Sequence, residues 1–438
     1  MTLLVISPDY ASHLYPLATL GTAWQRAGER VVVATGPATE ATVRRFGFER
    51  EHLVLGRGSN PGVIRAEEQP TGEDAALRGF FAATRQGGIA TLTFQANARG
   101  DDLLWDPLAT ARAVQRVIDR VRPDHVLVDH LAFSARLALH GAGVPYGDVV
   151  LGHPSALTVG DEVYGLPPVW PQRLRPAETE LAQLRRLCER VRDRFTDQWN
   201  AALAVLDPAA ATSNDAFAET GDVLLLNYPA ELHPPARTAL LGSHRFLGSA
   251  VRDEAPDAEV TAWLAAGSAP VVYVSLGSFL SVRSDVLARV AEALRGLDVR
   301  VALASGSTPA HALGRIPDDW LVRAVLPQVT LLAHSELVVC HGGNNSVTEA
   351  LTAGVPLLLL PLSTDQFAGA AAVEDAQFGE ALDPNAATAD ELRAAAVRLL
   401  RLDPDAGGRL ALLAADLVGN PGPDRARAAL VSDLGSLR

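Results

Sequence analysis

The sequence predicts an α/β protein built from two domains, and three observations support this prediction. Short apolar runs of strand length alternate with helix-length segments in both halves of the chain. The 438 residues are too many for one ordinary hydrophobic core. Residues 229–256 are rich in proline, glycine and charge, which is typical of an interdomain linker. We therefore expect domains at 1–228 and 257–420, followed by a final helical segment at 421–438.

Composition and charge exclude several functional classes. The chain is 48% hydrophobic and 20% charged, which is typical of a globular rather than a disordered protein. A net charge of −13 argues against a nucleic-acid partner, although a helix terminus can still create a local site for a diphosphate. Cys188 and Cys340 form no metal or redox motif and fit a reducing cytoplasm. We expect no signal peptide and no membrane insertion, because no cationic region precedes the first apolar run.

An opening strand–helix–strand unit brings a histidine to the edge of a sheet. Leu3–Ile6 and Val31–Ala34 are predicted to be buried strands, and Leu17–Arg26 between them is predicted to be a helix. The unit lacks the G-x-G-x-x-G fingerprint, so a nicotinamide or flavin cofactor is not expected. His13 lies between the first strand and the helix, where it is either an ordinary polar loop residue or a catalytic base.

An acidic residue is expected at the same edge as His13. The apolar run His125–Val128 predicts a strand, and Asp129 stands at its carboxyl end. Parallel strands bring their carboxyl ends to one edge of a sheet, so Asp129 and His13 should lie on the same side. Asp124 begins the strand at the opposite end and is typical of a turn. The nearby alternatives to Asp129 are His130 and Ser134.

The densest pattern lies at residues 337–366. A buried strand is predicted at its start, and His341-Gly342-Gly343 then turns the chain sharply. Asn344-Asn345-Ser346 can cap the following helix, and a helix N-terminus next to glycines and a histidine favours anion binding. A second buried strand at 355–360 leads to Asp365-Gln366. One ligand could therefore place a phosphate on the first turn and hydroxyl groups on the second.

This segment resembles the donor-binding segment of family-1 glycosyltransferases, which use nucleotide-diphosphate sugars. The matching positions are His341, Gly343, Asn344, Asn345, Ser346, Glu349, Gly354-Val355-Pro356, Pro361, Asp365 and Gln366. The family's Gly-His-x-x-Pro motif is matched by Ser12 to Pro16, with serine in place of the glycine. Val271 to Ser278 resembles the family's strand and Gly-Ser turn.

The resemblance implies two Rossmann-like domains that face each other across a cleft, which is the GT-B fold. The first domain would bind the acceptor and the second the donor, and the last helix would cross back onto the first domain. His13 would be the catalytic base, and Asp129 would orient it and stabilise its protonated form. No metal or other cofactor is expected, since the family requires none.

The resemblance also implies the donor contacts. Ser278, His341 and the helix N-terminus at Asn345-Ser346 would face the diphosphate. Glu349 would face the ribose of the nucleotide, and Asp365-Gln366 the hydroxyl groups of the sugar.

Base and acceptor recognition are less well defined by the sequence. The family usually has an aromatic residue two positions before Pro327, which stacks on the base, but Val325 stands there. Gln328 and nearby backbone would then carry more of base recognition. In this fold, segments such as 56–110 tend to build the acceptor pocket. The loop at 152–176 is long for a compact domain, which is typical of a functional loop or a lid, and we expect it at the mouth of that pocket. The candidate acceptor contacts are Phe80, Phe81, Phe94, His153, Tyr164 and Trp170, with core packing as the alternative role of the aromatic residues.

The resemblance implies an inverting glycosyltransferase that moves a sugar from a UDP- or TDP-sugar to a small-molecule acceptor. High alanine, arginine, leucine and proline content with one methionine suggests a GC-rich bacterial genome, and hence a natural-product acceptor of the kind found in antibiotic biosynthesis. Two alternatives remain open: a nucleotide-sugar epimerase or isomerase, and a non-catalytic helper protein on the same fold. The sequence does not identify the acceptor, the sugar, the nucleotide or the type of glycosidic bond, and it is compatible with a monomer or a homodimer.

Overall fold

The computed structural model describes residues 1–70, 72–99 and 103–433, which form two parallel β-sheets surrounded by helices. The first sheet has the order β3-β2-β1-β4-β5-β6-β7 and the second the order β10-β9-β8-β11-β12-β13. The first sheet contains β1 (Thr2–Ile6), β2 (Arg30–Thr35), β3 (Glu49–His52), β4 (His125–Asp129), β5 (Gly147–Val150), β6 (Val223–Leu226) and β7 (His244–Phe246). The second contains β8 (Val271–Ser275), β9 (Arg300–Ala304), β10 (Leu321–Arg323), β11 (Leu337–Cys340), β12 (Leu357–Leu359) and β13 (Gly379–Ala381).

Helices cover both faces of each sheet and connect successive strands. Those before β8 are α1 (Ala11–Arg26), α2 (Glu40–Arg45), α3 (Glu73–Thr84), α4 (Gly88–Arg99), α5 (Pro107–Val121), α6 (Phe133–Gly141), α7 (Glu178–Leu206), α8 (Pro235–Thr238) and α9 (Ala258–Ala265). Those after β8 are α10 (Gly277–Leu280), α11 (Ser284–Leu294), α12 (Gln328–Leu332), α13 (Asn344–Thr352), α14 (Gln366–Asp375), α15 (Ala389–Leu399), α16 (Pro404–Gly419) and α17 (Gly422–Asp433). Single 3-10 turns occur at Ala66–Glu68, Pro154–Ala156, Gln172–Leu174, Ala230–Leu232 and Ala310–Leu313.

The central strands are continuous apolar runs because both faces of each sheet are covered. All five residues of β4 and all four of β11 are buried, as expected for strands in the middle of a parallel sheet. The amphipathic helix α5 turns Val114, Val117 and Val121 toward the first sheet. Each sheet therefore has its own hydrophobic core, and we refer to the two units as the first and second domains.

The segment expected to be a linker, residues 229–256, is partly built into the first domain. Strand β7 lies within it and pairs in parallel with β6, with Leu224 beside His244. This edge strand has only three residues, His-Arg-Phe, and none of them is buried, so it carries little hydrophobic signal. The chain crosses to the second domain after β7.

The last helix, α17, packs against α1 of the first domain and not against the second sheet. Ala426, Ala429 and Leu430 join the core of the first domain, and Arg427 forms an ion pair with Glu29 at 2.8 Å. Residues 434–438 of the expected C-terminal segment lie outside the described residues. Across the described ranges, no helix combines the length and the apolar character needed to cross a bilayer.

Candidate active site

A cavity of about 670 Å³ lies between the two domains, at the carboxyl ends of the central strands. In the first sheet Ile6 of β1 lies beside Val128 of β4, and in the second Ser275 of β8 lies beside Cys340 of β11. The strand order reverses at both pairs. Open α/β sheets bind ligands in the crevice that forms at such a reversal. The cavity thus occupies the ligand-binding position of both domains at once.

On the first-domain wall, the structure brings His13 and Asp129 together. His13 lies in the first turn of α1 and Asp129 ends β4, and the distance from His13 Nδ1 to Asp129 Oδ2 is 2.7 Å. The other carboxylate oxygen of Asp129 accepts a hydrogen bond from the Leu131 amide at 2.8 Å, which fixes its orientation. The histidine side chain is 26% exposed and the carboxylate 1% exposed. This arrangement leaves Nε2 of the histidine available to a ligand in the cavity.

The electrostatic surroundings of His13 favour its protonated form. Burial disfavours that form, but the charge and hydrogen bond of Asp129 and the charge of Asp365 outweigh it, so the pKa of His13 is raised above its ordinary 6.5. The pair can therefore take up a proton and hold it while Asp129 balances the charge.

On the second-domain wall, two glycines make room for the ring of His341. A Cβ atom on Gly277 would lie 2.6 Å from His341 Cε1, and one on Gly343 would lie 2.4 Å from Nε2. Gly277 also has a φ of +70°, a conformation that other residues rarely adopt. Burial lowers the pKa of His341 to about 4, so the ring is neutral near pH 7. Within the part of the chain that the structure describes, its buried Nδ1 has no hydrogen-bond partner.

The N-terminus of α13 opens onto the same cavity, but its expected side-chain caps are absent. Gly343 is the N-cap residue, and neither Asn344, Asn345 nor Ser346 caps the helix. The Asn344 amide instead donates to two backbone oxygens of the first domain, at 2.9 and 2.8 Å, and Asn345 donates to the carbonyl of Ser12 at 2.8 Å. The expectation of capping is wrong because these amides connect the two domains. The first-turn N–H groups of α13 remain available to an anion.

Asn60 contributes to the site but was not found from the sequence. Its fully buried amide donates to the Ser278 hydroxyl at 3.2 Å, and its backbone oxygen accepts from the Ala11 amide at 2.7 Å. The Ile64 amide donates to the Ser278 carbonyl at 3.1 Å. One loop of the first domain therefore connects the start of α1, which carries His13, to the Gly-Ser turn of the second domain. A single asparagine in a loop carries no motif that could have revealed this connection.

The carboxylate of Glu349 is buried and does not line the cavity, but it contacts two side chains that do, those of Arg252 and Gln328. Arg252 Nη1 donates to Oε1 at 2.8 Å, and Gln328 Nε2 donates to Oε2 at 2.6 Å. Burial raises the pKa of Glu349, although both partners oppose the shift. Sequence reasoning missed Arg252 because it lies in the expected linker. Val325 also lines the cavity and is 62% exposed.

The two residues expected to contact the sugar differ in their environment. Asp365 Oδ2 accepts from the His153 amide at 2.5 Å and Oδ1 accepts from the Thr364 hydroxyl at 2.9 Å, and burial raises the pKa of Asp365. The side chain of Gln366 accepts from the backbone amides of Leu362 and Ser363, at 3.0 and 3.1 Å. It also donates to the Ser363 hydroxyl. Both residues line the cavity, but the hydrogen bonds of Gln366 favour a role in holding the turn.

Of the expected acceptor contacts, Phe80 and Tyr164 line the cavity. Four others do not, namely Phe81, Phe94, His153 and Trp170. Trp170 packs on Phe367 with ring centroids 4.3 Å apart, and the Phe94 ring fits against Gly79, where a Cβ would lie 2.7 Å away. Phe81 is buried, and His153 uses Nδ1 to bond the Ser155 hydroxyl at 2.9 Å. These four side chains therefore contact neighbouring protein groups and do not line the cavity.

Other residues that line the cavity are mixed in character and include Leu77, Gln95, Arg99, Leu131, Leu166 and, from the second domain, Phe279. It suits an acceptor that is largely apolar and carries a few polar groups. In the described ranges, no group of three or more His, Cys, Asp or Glu side chains is placed to hold a metal ion.

Comparison with known families gives a match that runs from α7 of the first domain through most of the second domain. The model of the family described as "UDP-glucoronosyl and UDP-glucosyl transferase" matches residues 183–404, which is just over half of the 438 residues. The matched range includes the linker residue Arg252 and the whole segment that carries His341, Glu349 and Asp365.

Individual relatives agree with this match. Oleandomycin glycosyltransferase of Streptomyces antibioticus is 28% identical over 316 residues, which is 71% of this chain and 68% of the relative. Demethyllactenocin mycarosyltransferase of Streptomyces fradiae is 34% identical over 135 residues, which is 31% of this chain and only 29% of the relative. The solved structure of the glycotransferase of kitacinnamycin superposes with a TM-score of 0.68 at 23% identity, covering 99% of both chains. The structural likeness confirms the predicted fold of two facing Rossmann-like domains.

Proposed function

Because the chain belongs to the UDP-glucoronosyl and UDP-glucosyl transferase family, we propose that it is an inverting glycosyltransferase. It moves a sugar from a UDP- or TDP-sugar to a hydroxyl group of a small-molecule acceptor. The observation that supports this most strongly is the position of the His13–Asp129 pair, which faces the second domain's anion site across a single cavity. The names of the relatives, which concern antibiotic glycosylation, support a natural-product acceptor.

In this mechanism His13 acts as the general base. Nε2 takes the proton from the acceptor hydroxyl as the oxygen forms its bond to the anomeric carbon. The bond between that carbon and the diphosphate oxygen breaks on the opposite face, so the anomeric configuration inverts. Asp129 holds the ring through Nδ1 and stabilises the imidazolium as it forms.

The leaving diphosphate is stabilised where its negative charge develops. Ser278, the ring of His341 and the first-turn N–H groups of α13 surround that position. His341 would contribute a hydrogen bond rather than a charge to the diphosphate, because burial lowers its pKa to about 4. These groups replace a metal ion in the proposed mechanism.

The two other candidate functions have less support. A helper protein on the same fold would have no need of the His13–Asp129 pair, which is well oriented for proton transfer. An epimerase or isomerase would act on the nucleotide-sugar alone and would need no acceptor pocket, whereas the cavity extends from the donor segment to Phe80 and Tyr164.

The experiment is a panel of UDP- and TDP-sugars incubated with aromatic and polyketide-like acceptors, with products identified by mass spectrometry. We expect a glycoside only when donor and acceptor are both present, and its formation with an alcohol acceptor should slow roughly 10²–10⁴-fold in His13→Ala. An altered nucleotide-sugar formed without acceptor would support the isomerase, and a folded protein that makes no product with any pair would support the helper protein.

A further inference from the structure

Arg99 brings a positive charge to the cavity that the proposed mechanism does not use. It is the last residue of α4, in the first domain, and its side chain lines the cavity. Its guanidinium carbon lies 4.9 Å from the centre of the Tyr164 ring, within the range of a cation–π contact. The other arginine that lines the cavity, Arg252, donates to Glu349 at 2.8 Å and to Glu254 at 2.7 Å. Among the described residues, Arg99 by contrast forms no ion pair and donates no hydrogen bond.

A second polar side chain of α4 also lacks a partner. Gln95 lies one helical turn before Arg99 and lines the cavity, and side chains four residues apart on a helix are neighbours. The buried Oε1 of Gln95 has no hydrogen-bond partner in the part of the chain that the structure describes. Beside them, a Cβ on Gly165 would lie 3.2 Å from Arg99 Nη1, so the glycine leaves room for the guanidinium. The first-domain wall therefore presents two unpartnered polar side chains next to each other.

The acidic side chains of the cavity do not use the charge of Arg99. These are Asp129, which bonds His13 at 2.7 Å, and Asp365, which accepts two hydrogen bonds from neighbouring residues. Burial raises the pKa of Asp365, and the charge of Arg99 opposes this shift without any hydrogen bond between the two side chains. An anionic group of a ligand would thus be repelled by two carboxylates of the cavity and attracted to one uncompensated cation, which fixes its orientation.

We propose that Arg99 binds a carboxylate of the acceptor, so that acids are preferred to the corresponding esters. The inference rests on the proposed function and specifies its acceptor as a largely apolar hydroxy acid. A guanidinium presents paired N–H donors that match the two oxygens of a carboxylate. The amide of Gln95 can add a hydrogen bond to the same polar end of the acceptor. The apolar body of the acceptor would contact side chains such as Leu77 and Leu166.

Two other roles of Arg99 would have different consequences. If Arg99 only packs on Tyr164, its replacement lowers stability and affects acid and ester acceptors alike. If it binds a carboxylate on the sugar of the donor, its replacement impairs transfer from UDP-glucuronate and spares transfer from UDP-glucose. Binding of an acceptor carboxylate instead changes the ratio between two acceptors that differ by one methyl group, whichever donor is used.

Three matched pairs of acceptors test the inference with the full chain and a donor accepted in the panel. They are the hydroxymethyl derivatives of benzoate, naphthoate and biphenyl carboxylate, each compared with its methyl ester, and they place the carboxylate at three distances from the alcohol. We expect wild type to use at least one acid with a kcat/KM about tenfold above that of its ester, mainly through KM. This is the order expected for a hydrogen bond to a charged group.

Variants of Arg99 then assign the preference to this side chain. In Arg99→Gln the ratio of acid to ester should fall to about one. Arg99→Lys keeps the charge but not the paired donors, so it should give an intermediate ratio, and it serves if the glutamine variant does not fold. Arg78→Gln is the matched control, because Arg78 pairs with Asp74 on the neighbouring helix α3 and does not line the cavity.

The outcomes are separable. Equal use of acid and ester in all three pairs, or better use of the esters, would overturn the inference. So would a preference for the acid that persists in folded Arg99→Gln, a defect confined to UDP-glucuronate, or failure to use any of the acids by a protein that glycosylates other acceptors. If no acceptor of any kind were glycosylated with any donor, the proposed function itself would be wrong, and the inference with it.

Discussion

Replacing Asp129 with asparagine tests whether this carboxylate activates His13. The two side chains are 2.7 Å apart at their closest atoms, and Asp129 is 1% exposed. Opposite charges with centres about 4 Å apart attract by about 4 kcal/mol at an effective dielectric constant of about 20. Partial exposure of His13 makes this an upper limit. We therefore expect turnover to fall by about ten- to a thousandfold, within the roughly 10²–10⁴-fold range for loss of the base itself.

The same substitution should shift the pH dependence in a defined direction. His13 accepts a proton only when neutral, so kcat/KM falls below its pKa, which Asp129 raises above 6.5. Burial lowers the pKa of His13, and Asp129→Asn removes the negative charge that counteracts this effect. The pKa of His13 should therefore fall, and the acidic limb of the kcat/KM profile should move to lower pH while the plateau value decreases. The double variant with His13→Ala should be little worse than His13→Ala alone, because the two residues act as one unit.

The assay measures kcat/KM from about pH 5 to about pH 9, the range in which a histidine titrates. The acceptor is a weakly acidic alcohol, since an ionised phenol would need little base. Asp124→Asn provides the control, because Asp124 directly precedes the same strand and accepts a hydrogen bond from the Thr2 amide at 2.7 Å, away from the cavity. If Asp129→Asn had the wild-type plateau value of kcat/KM and its acidic limb at the wild-type pH, the proposed role of Asp129 would be refuted. Normal turnover of folded His13→Ala, with only a lower melting temperature, would assign His13 to packing.

Three further predictions concern the donor side. His341→Ala should weaken binding of the nucleoside diphosphate and slow transfer roughly 10²-fold. His341→Gln should retain more activity, because the buried ring acts as a neutral hydrogen-bonding group. Equal kinetics of wild type and both variants would show that His341 is not part of the site. Gly277→Ala should lower nucleotide affinity at least about tenfold in calorimetry, because a Cβ would lie 2.6 Å from the His341 ring at a φ of +70°; unchanged affinity would show that the ring can move freely. Asp365→Ala should change the choice among sugars more than nucleotide affinity, since the residue lines the cavity beyond the diphosphate turn; equal losses for every sugar in competition assays would contradict this.

The parts of the fold that the sequence predicted best are those where burial dictates the residue type. The central strands are uninterrupted apolar runs, so β1, β4, β8 and β11 were located to within a residue or two. Strands β3, β7 and β13 are short, lie at or beside a sheet edge and contain polar residues, and none of them was predicted. Their position depends on pairing with a neighbour that is distant in the chain, which periodicity does not reveal.

Some residues of the candidate site could likewise be predicted from the sequence, and others could not. His13 and Asp129 follow neighbouring strands, so their shared edge could be inferred from the order of elements in a parallel sheet. Asn60 and Arg252 reach the site from a loop and a linker, where no spacing rule applies. The side chain of Asn344 was expected to cap its helix but bonds the opposite domain, a contact that exists only once the two domains are packed together.

The measurement that tests the central claim most directly is the stereochemistry and stoichiometry of transfer. An α-linked nucleotide-sugar accepted in the panel would be incubated with its acceptor, and the anomeric coupling of the product followed by NMR while the released nucleoside diphosphate is counted. The single-displacement mechanism with His13 as base predicts a β-linked glycoside and one nucleoside diphosphate for each glycoside formed. A product that retains the α configuration, or nucleotide release that does not depend on the acceptor, would contradict it.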